Sequence, residues 1–325
     1  MLKAIGLALC GVLAIASVQA SAQELTYPKK NITVIIPKNP GGGTDTSARL
    51  TLEYAKKYLP EGVIFVPENK PAGNGVTGLI EASRAKPDGQ TLVMTTVELA
   101  MFPHQNKSPV TYKDFTGLFA PIADPCALIV KADAPYQTLE EFVQYAKDHP
   151  GEIQVANSGA GAIYDLATTN MEQQLGIELK HIPYSEGTGP SIAALVGGHV
   201  DAVITTPGSA KPQIDAGALK MLGVMDTKRF DLFPDVPTFN EALGAGTNTT
   251  MRAWAAIAGP ADLPEDVTAQ LVDVFTAVAA DPEFQQAMKN QGIMPSTLVG
   301  DQVSEMMQQD DEMYAKLIAD TKAAN

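Results

Sequence analysis

The stretch "VIIPKNPGGGTDTSAR", residues 34–49, decides how the rest of the chain is understood. A β-branched run ends at Pro37, a loop with three glycines follows, and a helix begins. Ala48, Leu52, Ala55 and Leu59 recur at helical spacing, so the sequence predicts a helix over 45–59 with Asp45 as its N-cap. A strand–glycine loop–helix unit gathers backbone N–H groups and the positive end of a helix at one spot. That suits a phosphate, a dinucleotide or a carboxylate. It equally suits a tight turn that needs glycine only for its φ angles.

The same design recurs further on. "IQVANSGAGAIYDLATTNMEQQLG" (153–176) again reads strand, small-residue loop, helix. Strand-like segments at 63–67 (ended by Pro67), 91–96, 127–133, 178–184, 201–206, 220–225 and 253–260 alternate with helical ones at 73–86, 138–151 and 189–200, and the chain from Pro264 onward is helical. This alternation predicts βαβ units, mainly parallel sheets and two similar α/β lobes. No linker separates them, so crossing strands are expected to join them.

Residues 1–22 stand apart. Lys3, an apolar run from Ala4 to Ala16 and a closing Ala20-Ser21-Ala22 resemble a secretory signal peptide, with cleavage before Gln23 or after Ala20. The apolar run is shorter than the ~20 residues of a membrane span, and Leu9 before Cys10 argues against a lipid anchor. Removing this segment takes away Lys3 and no acid, so the remainder is one unit more negative than the −14 of the whole chain. Such a charge argues against nucleic acid or an anionic membrane surface as partner. Only Cys126 then remains, so no intrachain disulfide can form. About 300 residues can bury a sufficient core without one. The expected location is a bacterial periplasm.

Catalytic patterns do not assemble. No Gly-Lys-Ser/Thr follows the glycine triplet, and there is no G-x-S-x-G elbow. "GNGVTG" (73–78) fits G-x-G-x-x-G but does not directly follow a strand, which argues against a dinucleotide. His104, His149, His181 and His199 lie in separate elements without metal-ligand spacing. No cofactor and no metal are expected. Two glycine loops, one in each half, instead suggest a cleft lined from both sides that closes on a small anion.

The order of motifs resembles the Bug or TctC-type extracytoplasmic receptors of tripartite tricarboxylate transporters. Pro37, Gly42, Gly43, Asp45, Ala48 and Arg49 match that family's first-loop signature. "ENKPAGNGVTG", "AKPDGQTL", "IPYSEGTGPSIAALVGGHVDA", "GALKMLGV", "FPDVPTFNEAL" and "AGPADLP" resemble its later landmarks, in the same order. The resemblance implies a two-lobed, Venus-flytrap binding protein of the α/β class. Lobe one would hold residues 23–123 and 255–325, and lobe two residues 124–254, with crossings near 121–128 and 250–257. The implied ligand is a small mono- or dicarboxylate, aromatic acids included, held by backbone amides, hydroxyls and bridging waters. The implied partner is a membrane permease.

The expected ligand-binding residues are Asn39, Gly42, Gly43, Thr44 and Asp45 from the first loop and Thr95 and Thr96 from the strand beside it. Lobe two would add Asn157, Ser158, Gly159, Gly161 and Ala162, then Ser185 and Thr188, and Pro207 with its neighbours Gly208 and Ser209. Thr95 and Thr96 suit equally the capping of the next turn. Asn39-Pro40, Gln90, Glu98 and Asp165 depart from the family pattern. The two acids would repel a carboxylate unless they pair with a cation or point away. Arg252 is placed either to meet a far carboxylate or to form a salt bridge at the crossing. A secreted α/β hydrolase and a sensor that docks on a membrane kinase are the alternatives.

Overall fold

The computed structural model describes Tyr27 to Ala324, apart from residues 29, 42, 185–187, 245 and 248. The signal-peptide segment, Gly42 and Ser185 therefore lie outside the described residues. Among the described residues, eleven strands form two sheets. In chain order they are β1 (Ile32–Ile36), β2 (Phe65–Asn69), β3 (Thr91–Thr96), β4 (Phe115–Pro125), β5 (Ala127–Lys131), β6 (Gln154–Asn157), β7 (Lys180–Pro183), β8 (Ala202–Thr205), β9 (Leu219–Val224), β10 (Arg252–Pro260) and β11 (Leu298–Val299). The first sheet runs β11-β4-β10-β3-β1-β2 and the second β7-β6-β8-β5-β9.

The sheets are mixed rather than mainly parallel. The βαβ units give parallel pairs: β1 with β2 and β3, and β6 with β7 and β8. The crossing strands run the other way: β10 is antiparallel to β3 and β4, and β5 to β8 and β9. The chain leaves the first sheet at Pro125 and enters the second at Ala127, with buried Cys126 between them. There three segments pair: Cys126 N–H donates to the Met251 carbonyl (2.8 Å), Met251 N–H to Met225 (2.9 Å) and Met225 N–H to Cys126 (2.8 Å).

Two expectations change, and one strand goes beyond them. Pro67 does not end its strand; β2 continues to Asn69, and as an edge strand it tolerates a residue without an N–H. β4 carried no strand signal, because Gly117 and Pro121 interrupt it. Pro121 fits because the β4–β10 register slips between Ile122 and Phe119. The first-loop helix is Gly43–Ala55, so Asp45 lies inside its first turn rather than capping it.

The helix Glu265–Ala280 returns to the first sheet. Phe275 stacks between Phe65 (5.8 Å) and Phe119 (5.7 Å), all three buried. Each such ring contributes roughly 1.5–3 kcal/mol on leaving water, so the C-terminal helices are integral to this sheet's core. On the opposite face, Tyr314 and Trp254 join a core continuous with Leu128, Phe142 and Tyr164 of the second sheet.

Candidate functional site

A cavity of about 480 Å³ lies between the sheets. The first-loop side contributes Gly41, Gly43, Thr44 and Thr46, joined by Gln291, Gly292 and Ile293. The crossing strands supply the floor with Ile122, Asp124, Ala253, Trp254 and Ala255. The second-sheet side contributes Tyr164, Thr188, Thr206, Gly208 and Ser209. The lining is thus hydroxyls, an amide, glycine backbone and two aromatic rings, with one carboxylate and no Lys, Arg or His among the described residues. At one point the two sides meet through bare backbone: a Cβ on Gly208 would lie 1.9 Å from the Gly292 carbonyl oxygen.

The first loop is pinned from behind. Asp45 accepts the Gly41 N–H (2.9 Å), the Asn69 amide (2.8 Å) and Arg49 Nε (3.0 Å). Burial works against its charge, but these donors outweigh that and hold the carboxyl below its ordinary range. The Asn69 amide also donates to the Lys38 carbonyl (3.0 Å), closing the loop on itself. One glycine of "GNGVTG" serves the same packing. Gly75 is in the left-handed region (φ 91°), and a Cβ there would stand 2.4 Å from the Pro37 carbonyl oxygen.

The second loop is pinned in the same way. Asp165 accepts the Gly161 N–H (2.8 Å) and the Asn157 amide (2.8 Å) and meets His181 Nδ1 (2.6 Å). Burial again opposes the charge and is outweighed, so this carboxyl too lies below its usual range. The Gly161 carbonyl accepts Gln105 Nε2 (2.7 Å).

The two acids that depart from the family pattern, Glu98 and Asp165, are each paired, and so is Arg252. Lys38 donates to Glu98 (2.6 Å), and despite burial this keeps the Glu98 carboxyl ionised below its usual range. Arg252 pairs with buried Asp310 at 3.6 Å behind the floor, where Trp254 Nε1 also donates to Asp310 (2.7 Å). It takes the salt-bridge alternative and does not line the cavity.

Of the expected ligand-binding residues, Gly43, Thr44 and Thr188 line this cavity, as do Gly208 and Ser209. Asp45 instead stands behind its loop. Thr95 is buried with its hydroxyl donating to the Ala256 carbonyl (2.9 Å), and Thr96 is buried beside Glu98. Asn157, Ser158, Gly159, Gly161 and Ala162 belong to the pinned second loop, outside the lining; Asn157 is fully buried. Asn39 is exposed, and Pro207 is buried beneath its cavity-lining neighbours. Sequence reasoning missed Thr46, Asp124, Tyr164, Trp254 and Gln291–Ile293. Placing the crossings near 121–128 and 250–257 held the signal for the floor, since a strand joining two lobes must pass under the cleft between them.

Two lobes around a lined cleft, joined by crossing strands, define a solute-binding protein. The chain belongs to the tripartite tricarboxylate transporter family receptors, whose TctC family model matches residues 47–322. It is 32% identical over 285 residues to a UPF0065 protein of Bordetella pertussis, covering 87% of each chain. A ligand-free TctC solute-binding protein from Polaromonas superposes with a TM-score of 0.83 at 28% identity, covering 91% of this chain and 100% of that one. MatC from Rhodopseudomonas palustris, with bound malate, gives a TM-score of 0.71 at 26% identity, covering 90% and 100%. The family is a receptor class of periplasmic binding proteins, and no helix among the described residues is long and apolar enough to cross a membrane.

Proposed function

We propose that this chain captures a small organic acid in the interlobe cavity and delivers it to a membrane permease of the tripartite type, without catalysis. One observation carries the reading: Gly41, Gly43, Thr44 and Thr46, from the pinned loop and first helical turn, open on the cavity. Backbone N–H groups at a helix start favour an anion through both hydrogen bonds and the helix dipole. The malate in MatC supports the same chemistry.

In this reading Gly42, Gly43 and Thr44 hold a carboxylate, and Ser185 and Thr188 close on it from the second lobe. Residues 1–22 direct export to the periplasm and are removed. Lobe one comprises residues 23–123 and 255–325, and lobe two residues 124–254. Of the acids beside the two loops, Glu98, Asp45 and Asp165 are each matched to a cation close by, so none of the three sets a bare charge against the ligand.

Thermal-shift screening against mono-, di- and aromatic carboxylates tests this. A ligand at ~100 times its Kd adds roughly 2.7 kcal/mol of stability, which a melting curve resolves. A shift with sugars or cations and none with any acid would contradict the ligand class. Hydrolysis of an ester or amide substrate by the purified chain would contradict the receptor-only reading.

A further inference from the structure

The cavity floor holds one carboxyl side chain, Asp124, 5% exposed. It sits on β4 opposite Ala253 of β10, and no described side chain or backbone group gives it a hydrogen bond or an ion pair. The nearby titratable groups are of no help: the Cys126 thiol and the Tyr164 hydroxyl both feel Asp124 as a negative neighbour. Asp124 also borders a cleft behind the floor, where Arg229 is paired with Glu241 and Arg252 with Asp310. Lys228 lines that same cleft but is exposed.

A buried carboxylate is rarely left without a partner, because its desolvation is costly unless a donor or cation meets it. Here burial alone pushes the Asp124 carboxyl up to about 7. Every other buried acid named above has a donor within the fold. Asp124 has none, and it borders both the interlobe cavity and the cleft behind the floor.

We propose that Asp124 is the specificity determinant of the cavity and receives an ammonium group, so that the preferred solute is an acid that also carries an amine. This rests on the carboxylate reading of the cavity: the acid end lies at the Gly41–Thr46 loop and the amine at the floor. A ligand hydroxyl would supply a hydrogen bond and leave the charge unbalanced. An ammonium supplies a charge-assisted bond and neutralises it. A plain dicarboxylate would either set a second negative charge beside Asp124 or require it protonated, whereas an ammonium binds its ionised form.

Calorimetric titration of the full chain with two matched sets tests this: succinate, aspartate and β-alanine, then adipate, 2-aminoadipate and 6-aminohexanoate. The expected result is that the amine-bearing members bind tighter than the plain diacid of their set, by roughly tenfold or more. Asp124→Asn should erase that preference, weakening the amines and leaving the diacids equal or tighter. Its melting curve and that of Asp124→Ala report folding, and the wild-type ranking stands whether or not either variant folds. Tighter binding of the plain diacids by wild type, or an amine preference that survives Asp124→Asn, would overturn the proposal while leaving the carboxylate reading intact. Binding of no acid in either set would overturn both.

Discussion

Asp45 and Asp165 occupy equivalent places in the two halves of the molecule. Each sits in the first turn of the helix after a glycine loop and accepts the N–H of the glycine four residues earlier, Gly41 or Gly161. Each takes an asparagine amide on its other oxygen, from Asn69 or Asn157, and there also meets a basic side chain, Arg49 or His181. The device is duplicated, but only the first loop lines the cavity. Asp45→Ala and Asp165→Ala should therefore each cost about 1–3 kcal/mol, the penalty for stranding buried donors. Chemical denaturation checks that similarity. Only Asp45→Ala should also weaken ligand binding by roughly tenfold or more, and equal losses of affinity would show that both loops contact the solute.

His181 sets a pH dependence. Asp165 and then Glu172 hold its imidazole charged, raising it from 6.5 to about 9. The folded state keeps a proton that the unfolded chain releases above pH 6.5, so the stabilisation is complete below that pH and disappears as pH rises through 9. The stability gap between wild type and His181→Gln should shrink across that window, by up to about 3 kcal/mol at roughly 1.4 per pH unit. Urea denaturation at several pH values measures it; a constant gap would mean the pair contributes by packing alone.

Gly208 and Gly292 bring the two sides of the cleft into backbone contact. A Cβ at Gly208 meets a carbonyl oxygen rather than a flexible side chain, so it cannot be absorbed locally. Gly208→Ala should hold the lobes apart, enlarging the radius of gyration in solution scattering and weakening binding, while leaving each lobe's core intact. An unchanged scattering profile with unchanged affinity would show that the contact is incidental to closure.

Trp254 is the chain's one tryptophan and lies on the cavity floor. Its emission should change on binding. Trp254→Phe removes the indole donor from buried Asp310 and should lower stability by about 1–3 kcal/mol. Binding seen by calorimetry with no change in Trp254 emission would place the solute elsewhere.

Elements set by local pattern are legible in the sequence. β1, β3, β5 and β8 are short β-branched runs, and the loop before Ala48 and Arg49 declares itself by its glycines. β4 escaped because a proline and a glycine break its pattern, and the bulge that admits Pro121 exists only once β10 lies beside it. Asp124 and Gln291–Ile293 escaped for a related reason. They reach the cavity only through the crossing of distant strands and the return of the C-terminal helices. Asp45 looked like a cap and a ligand contact. Its actual role, holding Gly41 from behind, depends on Asn69 across a parallel strand pair.

Binding of an organic acid at the Gly41–Thr46 loop is tested most directly by calorimetric titration of wild type and Gly43→Val with succinate, malate, aspartate, adipate and benzoate. A Cβ on Gly43 meets nothing within 4 Å, so the variant should fold and melt like wild type while its side chain intrudes on the cavity. The predicted result is one-to-one binding of at least one of these acids by wild type, lost in Gly43→Val. Undiminished binding by a folded Gly43→Val would contradict the account.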